Sequence, residues 1–137
     1  MTDEKRRRSQ APKVNDLDGA CRDVMSNVDG ALACAMVDLE NGLLIGFHAA
    51  ERTKGLEDAL TQATIDLLCR RVAGAPSHGL SVIALEAHVM SERSYHFAKV
   101  LDGGKAAIML VTNRSTNAAL GSAQLKAAIP KISPKVR

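Results

Sequence analysis

The sequence predicts an α/β fold in which a five-stranded antiparallel sheet is covered on both faces. Three observations carry this. The stretch Ala31–Val37 is apolar on both sides, with Ala31, Ala33, Ala35 and Val37 on one and Leu32, Cys34 and Met36 on the other. A strand like that cannot lie on a solvated sheet face. Ala106–Val111 is continuously apolar in the same way. Apolar residues at three- and four-residue spacing recur in three further stretches, the signature of amphipathic helices.

The elements follow in order. Residues 1–13 read as a disordered basic arm ending at Pro12. Val14, Leu17, Cys21, Val24, Met25 and Val28 then form one helical stripe, with Asn15, Asp16 or Asp18 available to cap its start and Asp29-Gly30 to stop it. Ala31–Asp38 and Leu43–His48 form a hairpin about Asn41-Gly42, residues that tolerate the backbone of a tight turn. A longer helix is expected over Lys54–Ala73. Leu56, Leu60, Ala63 and Leu67 make its stripe, and Ala59, Ile65, Leu68 and Cys69 widen the apolar face beyond what packing on one sheet requires. That surplus points to a second subunit. Gly74-Ala-Pro76 and Gly79 mark a loop. Strands are expected at Leu80–Val89, Ser94–Leu101 and Lys105–Thr112, with a turn at Asp102-Gly-Gly104. A last helix runs over Thr116–Ala128, capped by Ser115 and limited by Pro130 and Pro134.

The first and fifth strands, apolar on both sides, belong in the middle of the sheet. The simplest order is 2-1-5-4-3, which leaves Leu80–Val89 as an edge. A long apolar edge strand is a liability unless something covers it.

Composition narrows the function. The 137 residues suffice for one domain with a real core. Aromatic residues are only 2%, so base-stacking platforms for single-stranded nucleic acid are not expected. The formal charge of +3 is a sum of unlike parts. Eight of the 18 basic residues and two of the 15 acidic ones fall in residues 1–13 and 130–137, leaving the central chain at about −3. No apolar segment approaches a membrane span, and no apolar stretch follows the N-terminal charges as in a secretory signal. Cys21, Cys34 and Cys69 lack disulfide or zinc spacing and read as buried free thiols of a cytoplasmic protein.

Chemical motifs are absent. His48, His78, His88 and His96 have no metal-ligand spacing; His88, His96 and Glu86 are the one group that a hairpin could gather. Gly103-Gly104-Lys105 fails as a phosphate loop, because Lys99 and Ala106 stand where Gly and Ser or Thr are needed. Asn113-Arg-Ser115 is a cap sequence. No catalytic residue, metal or cofactor is expected.

The helix ending in Val28-Asp-Gly30, the strand Ala31–Val37, Asp38 followed by Asn41-Gly42, and the long helix after a polar loop resemble the Roadblock family. So does the strand Ala106–Thr112 followed by Asn117-Ala-Ala-Leu120-Gly121. The resemblance covers about residues 14–130, flanked by the arm and a tail over 131–137. The family includes roadblock dynein light chains and bacterial regulators of Ras-like GTPases. The resemblance implies a profilin-like layering, with the long helix on one sheet face and the terminal helices on the other. It also implies a homodimer joined through the long helices and third strands. The interface residues would be Leu60, Ala63, Thr64, Leu67, Leu68, Arg71, Val82, Ala84, Glu86 and His88.

The function expected is a non-enzymatic scaffold or regulator binding a Ras-like small GTPase or related signalling partner. Any effect on hydrolysis would come from holding the GTPase's own loops, with Arg52, Arg70, Arg71 and Arg93 candidates by charge alone. One alternative is a small-ligand sensory domain of similar layered fold, against which the small residues of Ala31–Ala35 argue. Another is a nucleic-acid or membrane adaptor acting through Lys5–Arg8, although the leading expectation is no specific nucleic acid and no membrane partner.

Overall fold

The computed structural model describes residues 12–72 and 79–136, with side chains from Asp16 onward. The expected loop Gly74–His78 and most of the basic arm lie outside them. Helix α1 spans Pro12–Ser26. It begins on a proline, which suits the first helical position because its missing N–H would be unpaired there anyway. Strands β1 (Ala31–Asp38) and β2 (Leu43–Ala49) follow. Their turn is closed by Gly42 N–H donating to Asp38 O (2.8 Å) and by the side chains of Asp38 and Asn41 accepting from Glu40 and Leu43.

Helix α2 covers Leu56–Leu68 and is followed by β3 (Cys69–Arg71) and β4 (Leu80–Val82). Then come β5 (Glu86–Met90), β6 (Ser94–Val100), β7 (Ala106–Asn113), helix α3 (Ala118–Ile132) and a 3-10 turn, Ser133–Val136.

The main sheet is antiparallel with strands in the order β2-β1-β7-β6-β5. Two faces of β1 and β7 feed two cores. Cys34, Met36, Ile108 and Leu110 pack with Leu17, Cys21 and Val24 of α1 and Leu125 and Ile132 of α3. Ala33, Ala35, Val37, Ala107 and Met109 pack with Leu60, Ile65 and Leu68 of α2. Burying the two central strands on both sides is the hydrophobic effect acting on sequences with no polar face to expose.

Several expectations are corrected. The long helix stops at Leu68, not Ala73, because Cys69 turns to extended backbone (φ −130°, ψ 164°). Cys69–Arg71 then pairs with Leu80–Val82 as a separate two-stranded sheet. The expected strand Leu80–Val89 is therefore two strands. Between them the N–H groups of Ile83 and Ala84 both donate to Leu68 O, and this anchors a crossing from one sheet to the other. The described residues form seven strands, five of them in the main sheet, so the order 2-1-5-4-3 does not hold as numbered. The last helix is capped by Asn117, whose Oδ1 accepts from Leu120 N–H, and not by Ser115. Pro130 lies inside that helix. Its missing N–H leaves the Lys126 carbonyl without a helical donor, and both residues are exposed, so water can serve instead.

Candidate interaction surface

The two edges of the main sheet are treated differently by the fold. At the β2 edge the carboxylate of Asp18 accepts the outward N–H of Phe47 (2.8 Å). Asp18 was expected as a helix cap; it guards a strand instead. α1 lies so close that a Cβ on Gly46 would stand 2.9 Å from Leu17 Cβ. This edge is covered.

Among the described residues the β5 edge is bare. Val100 N–H donates to Leu85 O, and Ser91 N–H donates to Ser94 O. Pairing alternates in an antiparallel ladder. Leu85, Ala87, Val89 and Ser91 therefore spend their backbone groups on β6. The N–H and C=O of Glu86, His88 and Met90 point outward. Apolar side chains flank them: Leu85 is 74% exposed, Met90 63%, Ile83 54%, Val82 39% and Val89 38%. Bare backbone beside exposed large apolar groups is a liability that natural sheets usually cover.

The residues expected at an interface divide into three groups. Leu60, Thr64 and Leu68 are buried in the protomer's own core, and Thr64 Oγ1 donates to Leu60 O (2.7 Å). Ala63 and Leu67 are half-buried, Arg71 and Val82 exposed, and Ala84 packs at the margin of the α2-side core. Glu86 and His88 lie on the opposite face from Ala87, toward α3. The crossing at Ile83–Leu85 interrupts strand alternation, so Val82, Ala84, Glu86 and His88 do not share one face. The most exposed members, Leu85, Met90 and Ile83, were not in the expected set, and neither was Val89. Their signal was present as an apolar run on a strand already assigned to an edge.

Polar chemistry beside the edge is modest. Lys99 is buried and pairs with Glu86 on β5. The hydrogen bond from Lys99 holds the Glu86 carboxyl below the usual carboxylate range. His88 stands edge-on to Phe97 at 5.2 Å, with Ser122 Oγ 3.4 Å from its Nε2. His96 is on the other face, with Nδ1 buried and unpaired; burial pulls its pKa down. His88 and His96 thus point to opposite sides, and no group of three metal ligands forms among the described residues. Cys21, Cys34 and Cys69 are buried thiols. A hydrogen bond with Cys21, and then burial, raises Cys34 well above its ordinary pKa. No helix among the described residues is long and apolar enough to cross a membrane.

No protein-family profile and no curated protein matches this sequence. Solved structures do. A Roadblock/LC7 domain from Streptomyces avermitilis aligns with a TM-score of 0.68 at 15% identity, over 88% of this chain and 97% of that one. MglC from Myxococcus xanthus aligns at 0.57 and 17% identity, over 85% and 96%. An MglB described as having a tetrameric arrangement aligns at 0.64 and 15%, over 90% and 89%. The resemblance to the Roadblock family holds in three dimensions: this chain has the Roadblock/LC7 fold.

Proposed function

We propose that the chain acts as a symmetric dimer, a non-enzymatic scaffold or regulator that binds a Ras-like small GTPase in the cytoplasm. The observation that carries the dimer is the bare β5 edge with its exposed apolar flank, set against a β2 edge that Asp18 and α1 already cover. Pairing β5 with a second β5 satisfies the outward groups of Glu86, His88 and Met90. It also brings Ala63, Leu67, Arg71, Val82 and Ala84 toward the partner. Glu86 and His88 then serve the interface through backbone rather than side chain. The tetrameric arrangement of one similar MglB supports self-association as a property of this fold.

The GTPase reading rests on the Roadblock fold and on the lack of any nucleotide or catalytic motif in the chain. A GTPase brings its own magnesium and phosphate cradle, so a partner can act by holding its loops. None of the arginines stands out as a supplied group. Arg52 pairs with Glu57 at 3.1 Å and sits over Phe47, while Arg70, Arg71 and Arg93 are simply exposed. The close packing of Ala33 and Ala35 under α2 supports a scaffold over a small-ligand sensor.

Solution mass at micromolar concentration, followed by a pull-down from the native cytoplasm read for Ras-like GTPases, tests both halves. A clean monomer overturns the dimer, and a dimer that retains no such GTPase overturns the partner.

A further inference from the structure

The outward backbone of β5 sets where a two-fold axis can pass. Its free groups belong to Glu86, His88 and Met90. They are bounded on both sides, because Ala84 N–H is spent on Leu68 O and Ser91 N–H on Ser94 O. Centring two antiparallel copies on His88 pairs His88 with the partner's His88, and Glu86 with the partner's Met90. All three residues of both strands are then used. Moving the axis to Ala87 sets Met90 against the spent Ala84, and moving it to Val89 sets Glu86 against Glu92, where the strand has ended. Residues directly opposed in an antiparallel pair share a face, with Cβ atoms about 5 Å apart. The two His88 imidazoles therefore stand side by side on the axis, with Met90 of each chain next to them on that face.

The surroundings leave these side chains available. His88 lies against Phe97, and the 3.4 Å from its Nε2 to Ser122 Oγ is long for a hydrogen bond. Met90 is exposed and sits opposite Tyr95, on the same sheet face as His88. The charged neighbours are engaged or basic. Glu86 is taken by the buried Lys99. Lys126 of α3 faces the same carboxylate. Arg114 lies over Tyr95 and donates to Ser91 O. Glu92 and Arg93 are exposed in the turn beyond the strand. The axis thus offers two imidazoles and two thioethers, and the carboxylate on β5 is committed elsewhere.

We propose that the axis of the β5-paired dimer holds one copper(I) ion between the two His88 imidazoles, with the Met90 thioethers completing its ligands. The proposal rests on the dimer reading, since one protomer supplies a single imidazole. Imidazole suits several transition metals, whereas thioether sulfur selects copper(I). Harder cations want carboxylate or carbonyl oxygen, and Glu86 is committed to Lys99. The positive charges of Lys126 and Arg114 also penalise a doubly charged ion more than a singly charged one. Spacing within one chain predicts no metal, because the second imidazole comes from symmetry. An ion that binds only the pair stabilises the pair, so the site would couple copper(I) to assembly.

The full chain is titrated with copper(I) under nitrogen against a chromogenic copper(I) chelator, and its solution mass is followed on dilution. One tightly held ion per dimer is expected, with dissociation moved to lower protein concentration. His88→Asn keeps the backbone donor and should remain a dimer, while its copper(I) affinity at this site falls by more than about a hundredfold. Met90→Leu should weaken binding and also keep the dimer. Circular dichroism checks that both variants fold. Cys21, Cys34 and Cys69 are present in every variant, so copper(I) taken up by thiols is common to all of them. Zinc held as tightly as copper(I) overturns the proposal. Solution mass separates the two readings. A parent that stays monomeric with and without copper(I) overturns the dimer; a dimeric parent that takes up no more copper(I) than His88→Asn overturns the metal site alone.

Discussion

Gly30 shows how one residue joins two distant parts of the chain. Its φ is +83°, and an added Cβ would meet Thr116 Oγ1 and, at 2.6 Å, Asn113 Oδ1. These side chains tie the α1–β1 junction to the β7–α3 junction, with Asn113 N–H donating to Gly30 O (2.9 Å). Gly30→Ala should therefore cost about 2–3 kcal/mol, combining backbone strain with a steric clash; urea unfolding monitored by far-UV circular dichroism measures it. His96 governs a different property. Its half-buried ring, with Nδ1 shut off from water, resists protonation, so its folded pKa lies below the ordinary value of 6.5. As pH falls through that value the unfolded chain takes up the proton first, and stability declines. Glu86, held low by Lys99, adds a second loss only as pH falls below the ordinary carboxylate range. Thermal midpoints of the parent should fall between about pH 7.5 and 5.5, and His96→Gln should flatten that window while leaving the acid limb.

The elements most legible in the sequence were those whose neighbours are fixed by alternation or periodicity alone. Ala31–Val37 and Ala106–Val111 had no polar face to offer water, and they form the paired central strands β1 and β7. Cys69–Arg71 was illegible because its preceding helix ends without a glycine or proline, and the competing strand pairing comes from Leu80–Val82, beyond a loop. The break at Ile83–Leu85 was hidden for the same reason: the two hydrogen bonds to Leu68 O that create it are tertiary. The bare edge could be inferred as an edge, but not which side chains flank it, since one interrupted strand reverses every later residue. The β5 ladder gives a direct test. The N–H of His88 points away from β6, so His88→Pro removes no bond within the protomer and is tolerated as edge prolines are. It should halve the solution mass while the far-UV spectrum stays unchanged. A folded dimer of that variant would exclude edge pairing.

At the scale of the whole molecule the two edges of the main sheet differ, and the proposed dimer makes use of that difference. With its β2 edge covered and its β5 edge bare among the described residues, the main sheet offers one edge, which suits a closed pair rather than an open-ended stack. The proposed pair would set both copies of α2 on one side of the sheet and both copies of α3 on the other. If that pair is the stable form, folding and association are linked, and stability depends on protein concentration. Each tenfold dilution removes about 1.4 kcal/mol from the dimer. For a pair of chains of this size that lowers the thermal midpoint by about 2–3 °C. The parent should show this dependence in calorimetric scans across a hundredfold range of concentration. His88→Pro should show none, and its midpoint should match the parent's value extrapolated to high dilution. A parent midpoint that does not move with concentration would place the β5 edge in water and leave its exposed apolar flank without the proposed cause.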